Sequence, residues 1–269
     1  MNMRGRKGSL VGVIHLAALP GSPRAAMDLS RIAEVAATEA RILADAGFDF
    51  VMLENFGDAP FFRGRVPPVT TSAVTACACA VRAAAPTLPL GINVLRNDAE
   101  SALAIAVVVG GVCIRVNVHT GARVTDQGII QGEAAETLRT RRALGASAVQ
   151  IWADVDVKHA APLAPRSIAY EARDLFSRGL ADVLLVTGEG TGVSVDPAQL
   201  KAVRRAVPEA PLFVASGARR EDLAALAADC DGVIVGSALR VDELAGAPLD
   251  AARCRAFAQS FREAFAGTT

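Results

Sequence analysis

Between Ala153 and Ala160 the chain reads ADVDVKHA, which sets two carboxylates, an ammonium and an imidazole (Asp154, Asp156, Lys158 and His159) directly after the apolar run Val149 to Trp152. Ionisable groups this dense at the end of a buried strand are unfavourable unless they face water or a ligand. A carboxylate beside an ammonium suits proton transfer next to a carbonyl, aldol-type cleavage, or rupture of a glycosidic bond. Lys158 could form a Schiff base only as a neutral amine. Asp154 and Asp156 beside it favour the charged form, so electrostatic stabilisation is its expected role. Glu54, Asp154 and Asp156 together would also offer hard oxygen ligands to Mg²⁺, whereas a zinc site would need His15, His119 and His159 to converge.

These residues are positioned by an alternation of short β-rich runs and longer Ala/Leu/Arg/Glu helical patterns along the whole chain, the sign of repeated βα units around a parallel sheet. Strands are expected at Leu10–Leu16, Phe50–Glu54, Leu90–Val94, Val112–Asn117, Ala148–Asp154, Val183–Thr187, Leu212–Ala215 and Val233–Val235. Eight strands in 269 residues suit a (β/α)₈ TIM barrel formed as a single domain over 1–269, with residues 1–8 expected as a disordered leader. Asp28 is expected to cap the first helix, which should end before Gly47, and Asp196-Pro197 to open another. Successive strand residues face opposite sides, so parity can be read against polarity. Absent a β-bulge, Asp154, Asp156 and Lys158 face the barrel axis. His15, Glu54, Asn93, Arg115, Asn117 and His119 do the same from other strands, near their C-terminal ends. His159 has the opposite parity and reaches the site only if the chain has turned. A buried ion pair of Arg115 with Glu54 or Asp154 is the structural alternative for any one of these residues; the whole set points to a site.

The other half of the mouth has the composition of a phosphate cradle. The seventh strand ends in Ser216-Gly217-Ala218 before a helical Arg219 to Ala228, and the eighth in Gly236-Ser237-Ala238. Glycines admit an anion close to backbone N–H groups, and a helix N-terminus adds its dipole. The run Thr187, Gly188, Glu189, Gly190, Thr191, Gly192 is expected to complete the cradle, with a plain flexible loop as the alternative. Neither a Walker A loop nor the Rossmann glycine spacing is present. Val118 to Gly132 and Gly188 to Val195 are long for barrel connections, and Asn55 to Pro68 holds Phe56, Phe61 and Phe62, which would serve as a lid, a subunit contact or loop packing.

Composition narrows the partners. Lys plus Arg equals Asp plus Glu at 28 each, so the chain lacks the electrostatic footprint of a nucleic-acid binder. The longest apolar run, Ala102 to Ile114, is too short for a transmembrane segment, and the N-terminus is not built as a signal peptide. Five cysteines without a CxxC element suggest buried thiols in a reducing cytoplasm. The expected localisation is therefore cytoplasmic, and analogy with the fold's habits suggests a homo-oligomer.

HLAALPGSP (His15 to Pro23), ENFGDAPF (Glu54 to Phe61), NVLRNDA (Asn93 to Ala99), RVNVHTGARVTDQGIIQG (Arg115 to Gly132), ADVDVKHA and the closing SG and VGSALR motifs jointly resemble the BtpA/SgcQ family, from about Val11 to Arg240. Ala18 stands where that family usually has proline and Arg240 where lysine is common. The resemblance implies a TIM barrel of the ribulose-phosphate-binding type and an association with photosystem I biogenesis, without a defined reaction. The function expected is an enzyme acting on a phosphorylated small molecule, a sugar phosphate or nucleotide-like, as a lyase, an isomerase or a glycosidic-bond-cleaving enzyme. The alternative is a non-catalytic assembly or regulatory factor of a membrane, photosystem-like complex.

Overall fold

The computed structural model describes residues 8–188, 190 and 192–266. Eight parallel strands close a barrel: β1 (Ser9–His15), β2 (Phe50–Glu54), β3 (Leu90–Asn93), β4 (Cys113–Val116), β7 (Gln150–Asp156), β9 (Val183–Val186), β10 (Leu212–Val214) and β11 (Gly232–Val235). β1 is hydrogen-bonded to both β2 and β11, which completes the ring. Around it lie α1 (Leu29–Asp45), α2 (Pro68–Ala84), α3 (Ala99–Val109), α4 (Ala134–Ala143), α5 (Ile168–Arg173), α6 (Pro197–Ala206), α7 (Leu223–Leu226) and α8 (Ala251–Phe265). Between barrel and helices runs a layer of Ala, Val, Leu and Ile, as both-face burial of parallel strands requires.

Local signals act largely as expected. Asp196 accepts from the Ala198 N–H and Pro197 opens α6. Gly47, at φ +83°, follows the end of α1, although Asp28 makes no side-chain cap bond there. The helix expected from Arg219 to Ala228 is reduced to a 3₁₀ turn, Arg220–Asp222, and the single turn α7. The long connection after β4 is not a plain loop. It forms the hairpin β5 (Ala122–Thr125) and β6 (Gly128–Gln131), and β8 (Ala160–Pro162) joins β5 to make a small antiparallel sheet beside the barrel mouth.

The lower part of the barrel lumen is sealed by inward side chains, among them Val11, Phe50, Cys113, Trp152, Val183 and Phe213. Trp152 packs edge-on against Phe50 and Phe213, at centroid separations of 5.7 and 5.2 Å. Arg240, fully buried beyond β11, pairs with Glu39 of α1 at 3.0 Å and donates to the Val13 carbonyl. The position departing from the family pattern thus ties α1 to the barrel wall. Among the described residues no helix is long and apolar enough to cross a membrane.

Candidate active site

One pleat above the apolar plug, the same strands present His15, Glu54, Asn93, Arg115 and Asp154. Arg115 and Asp154 form a buried pair with Nη2 to Oδ1 at 3.0 Å, and Asn117 Nδ2 donates to Asp154 Oδ2 at 2.8 Å. Asn93 Nδ2 donates to the Arg115 carbonyl and to Asn117 Oδ1. Asp154 is therefore occupied in fixing Arg115 and Asn117. It lines neither cavity of the mouth, so its part is positioning, against the acid or base role expected from the sequence.

The parity that placed Asp156 inward fails at a β-bulge. Asp154 is level with Leu185 and Asp156 with Val186, so β7 uses one extra residue between two consecutive positions of β9. Asp156 consequently leaves the lumen and meets Arg123 of β5, Nε to Oδ1 at 3.3 Å. Arg123 also reaches Glu171 of α5 at 3.4 Å and the Val155 carbonyl at 3.2 Å, fastening the hairpin to the bulge. Beyond the bulge Lys158 turns back to the axis and lines both cavities. His159, in the left-handed region at φ +57°, lines only the outer one. The chain has turned as its inclusion required.

Burial pulls the Lys158 ammonium below its usual range; Arg115 and Arg96 push the same way, against Glu54 and Asp154. With Asp156 turned out and Asp154 engaged by Arg115, the carboxylates do not hold Lys158 charged as expected, and the neutral amine becomes more accessible. Among the described residues no hydrogen bond or ion pair reaches its nitrogen. His15 is held well below the usual imidazole range by burial, reinforced by Arg240, Lys158 and Arg115. Its Nδ1 accepts from the Gly246 N–H at 3.3 Å, its ring stacks on Phe56 at 4.3 Å, and Nε2 lies 3.9 Å from Glu54 Oε1.

The mouth holds an outer chamber of about 540 Å³, within the range of small-molecule sites, and an inner recess of about 30 Å³. Glu54, Arg115 and Lys158 line both. The recess is closed on its far side by Gly192, Ser216, Gly217, Gly236 and Ser237, the glycines and serines expected to cradle phosphate. Gly217 sits at φ +68°, and a Cβ there would stand 1.8 Å from the Val193 carbonyl oxygen; at Gly188 it would stand 2.1 Å from the same atom. The loops after β9 and β10 therefore interlock on Val193. Gly188 serves that packing and does not line the recess. Nor does Thr187, whose hydroxyl donates to the Asp156 carbonyl. Thr191 lies outside the described residues. Because the helical segments that follow Gly217 and Gly236 are each only about a turn long, the dipole expected from Arg219 to Ala228 contributes little; backbone N–H groups, the two serine hydroxyls and Lys158 are the anion donors available.

The carboxylates expected for Mg²⁺ do not meet, since Asp154 is held by Arg115 and Asp156 by Arg123. The zinc alternative fails likewise: His119 is buried against the Gly179 carbonyl at 2.8 Å, away from His15 and His159. Among the described residues no three His, Cys, Asp or Glu side chains cluster as a metal site requires. Two charged chamber residues have no counterpart among the sequence candidates. Arg96 follows the end of β3, where strand parity no longer applies, and Arg24 lies in the loop after β1. Both stand in motifs quoted above, NVLRNDA and HLAALPGSP with its next residue, which is the signal that was available.

A sequence model of the BtpA family matches residues 6–263. The chain belongs to the BtpA family. It is 42% identical over 254 residues to the photosystem I biogenesis protein BtpA of Synechocystis sp., covering 94% of this chain and 88% of that protein. It is also 40% identical to an uncharacterized protein of Methanocaldococcus jannaschii (93% and 94% covered) and 30% identical to an uncharacterized mitochondrial protein of Caenorhabditis elegans (86% and 84%). Among solved structures, the barrel of this BtpA-family chain is similar to KGPDC from Streptococcus mutans (TM-score 0.60, 11% identity, 97% and 100% covered). It is similar too to N-(5'-phosphoribosyl)anthranilate isomerase from Pyrococcus furiosus (0.56, 14%, 95% and 99%). At these identities the likeness shows the fold.

Proposed function

We propose that this BtpA-family protein is an enzyme acting on a phosphorylated small molecule at the C-terminal mouth of its barrel. The observation that carries this is the inner recess, in which Lys158, Glu54 and Arg115 face Ser216, Gly217, Gly236 and Ser237 across a single small volume. The phosphate lies on the glycine and serine side, where loops after the last two strands recurrently bind it in this fold. The reacting centre then lies at Lys158 and Glu54, on the lip shared with the outer chamber.

Lys158, biased towards its neutral form, takes a proton beside a carbonyl or attacks the carbonyl itself; Glu54 receives or returns the proton; Arg115, locked by Asp154, stabilises the oxyanion that develops. Isomerase and lyase chemistry both use this set, whereas glycosidic-bond cleavage ordinarily needs a second carboxylate beside Glu54; named neighbours of the fold include a phosphoribosyl isomerase and orotidine 5'-phosphate decarboxylase. Ligand linkage tests the proposal: a sugar phosphate or nucleotide monophosphate that binds the recess raises the melting temperature of the wild-type protein. The absence of a shift across a broad phosphometabolite panel sinks it.

The second reading, an assembly factor without catalysis, is favoured by the 42% identity to a protein named for photosystem I biogenesis. The two part on Lys158→Ala and Glu54→Gln in folded protein. Full complementation of a deletion strain by both variants supports the assembly role, and loss with either supports the enzyme.

A further inference from the structure

The outer chamber is charged unevenly. Its lining includes Arg24, Arg96, Arg115 and Lys158 against a single carboxylate, Glu54. Arg115 is matched by Asp154 behind it. Arg96 has no such match: it is 5% exposed, donates Nη2 to the Lys158 carbonyl at 2.6 Å, and among the described residues has no ion pair. A guanidinium withdrawn from water and left without an anion is unfavourable, and buried charges are otherwise paired. Burial also pulls Arg96 below its usual range and Arg115 adds to the shift, against the more distant carboxylates of Asp154, Glu54 and Asp126, none of which forms an ion pair with it. The residue is therefore held in an unfavourable state at the edge of a cavity, adjoining the backbone of the residue that bears the reactive amine.

We infer that the missing anion arrives with the substrate, which is a phosphorylated carboxylic acid: its carboxylate pairs with Arg96 in the outer chamber while its phosphate occupies the recess at Ser216 and Ser237. This inference rests on the proposed function and narrows its substrate class. A carboxylate matches the planar fork of one guanidinium with two parallel hydrogen bonds. The lining of the outer chamber, which includes Leu16, Phe61 and Leu95, carries no hydroxyl for the additional oxygens of a second phosphate. Arg24, exposed at the rim of the chamber, adds attraction for the anion on entry.

Calorimetric titration of the full-length protein with matched pairs tests this. The probes are 3-phosphoglycerate against glycerol 3-phosphate, and 6-phosphogluconate against glucitol 6-phosphate, each pair differing in the carboxylate. In at least one pair the acid is expected to bind about tenfold or more tightly, as one charge-assisted bidentate contact provides. That gap closes in Arg96→Met and narrows in Arg96→Lys, which keeps the charge but loses the fork. Equal affinities within both pairs, or a gap that survives Arg96→Met, overturn the inference while leaving phosphate binding intact. Tighter binding of fructose 1,6-bisphosphate than of either acid, lost with Arg96, overturns it in favour of a second phosphate. Binding of none of these compounds removes the proposed function and this inference together. The wild-type comparison stands even where a variant fails to fold.

Discussion

Val13 and His15, Met52 and Glu54, Cys113 and Arg115, Trp152 and Asp154 are pairs two residues apart on β1, β2, β4 and β7 of one barrel. The first member of each belongs to a dry apolar layer and the second to an ionic one. The pleat alone gives both layers the same orientation, so the change of chemistry lies in side-chain choice and not in backbone geometry. The consequence is electrostatic. A floor made of Phe50, Trp152 and Phe213 excludes water from beneath His15 and Lys158, and burial is the largest cause of the shift in each. The lower layer thereby helps to set the titration of the upper one.

Substitutions on successive inward positions of β7 should separate the layers most strongly. Trp152→Ala opens a cavity and Asp154→Ala leaves Arg115 buried without its partner, each destabilising by about 3–5 kcal/mol in urea unfolding. Phosphate-ligand affinity, by calorimetry, should fall in Asp154→Ala, where Arg115 loses its anchor, and change much less in Trp152→Ala, which acts on the ligand only through the water it admits beneath Lys158. The same ligand response from both would break the distinction between core and site. Gly217→Ala forces an alanine to positive φ, for about 1–2 kcal/mol, and collides with Val193; it should lose phosphate binding as well as stability.

His15 has a folded-state value lowered beneath the unfolded one, so the unfolded chain binds the proton first as pH falls. Its contribution to stability is therefore lost as pH drops below about 6.5, by about 1 kcal/mol at pH 5.5, and His15→Gln should flatten this limb of the profile. The smallest effect is expected at Lys158. Lys158→Met removes a buried ammonium with no partner among the described residues and should shift stability at pH 7 by less than about 1 kcal/mol, upward. Wild-type stability should rise with pH between the lowered folded value and the unfolded 10.5, a rise the variant lacks. A large loss of stability in Lys158→Met would mean that the amine supports the fold.

Much of the barrel was legible because its strands are short, regular and bounded by glycines or capping residues. Alternation along β1, β2, β3 and β4 gave His15, Glu54, Asn93 and Arg115 their inward orientation. It failed on β7 because parity counts residues and a bulge adds one: Asp156 was carried to the outer face by Val155, whose apolar character fits either register. Arg96 was missed because it follows the last paired residue of β3, where no period constrains direction. The hairpin of β5 and β6 has the sequence of a loop because its four-residue strands mix Gly, Thr and Arg and carry weak alternation. Its partner β8 is formed only once the bulge has redirected the chain.

The interlock on Val193 bears on any attempt to redesign this mouth. Gly188 is a missing side chain that lets the connection after β9 fold back on its own Val193 carbonyl, and Gly217 is a second that seats the connection after β10 on that same atom. Barrel enzymes are commonly treated as a fixed frame carrying eight exchangeable loops. In this barrel the connections after β9 and β10 form one unit of exchange, to be grafted or randomised together, because a new sequence after β10 must keep the vacancy at 217 and one after β9 must keep the Val193 carbonyl that fills it.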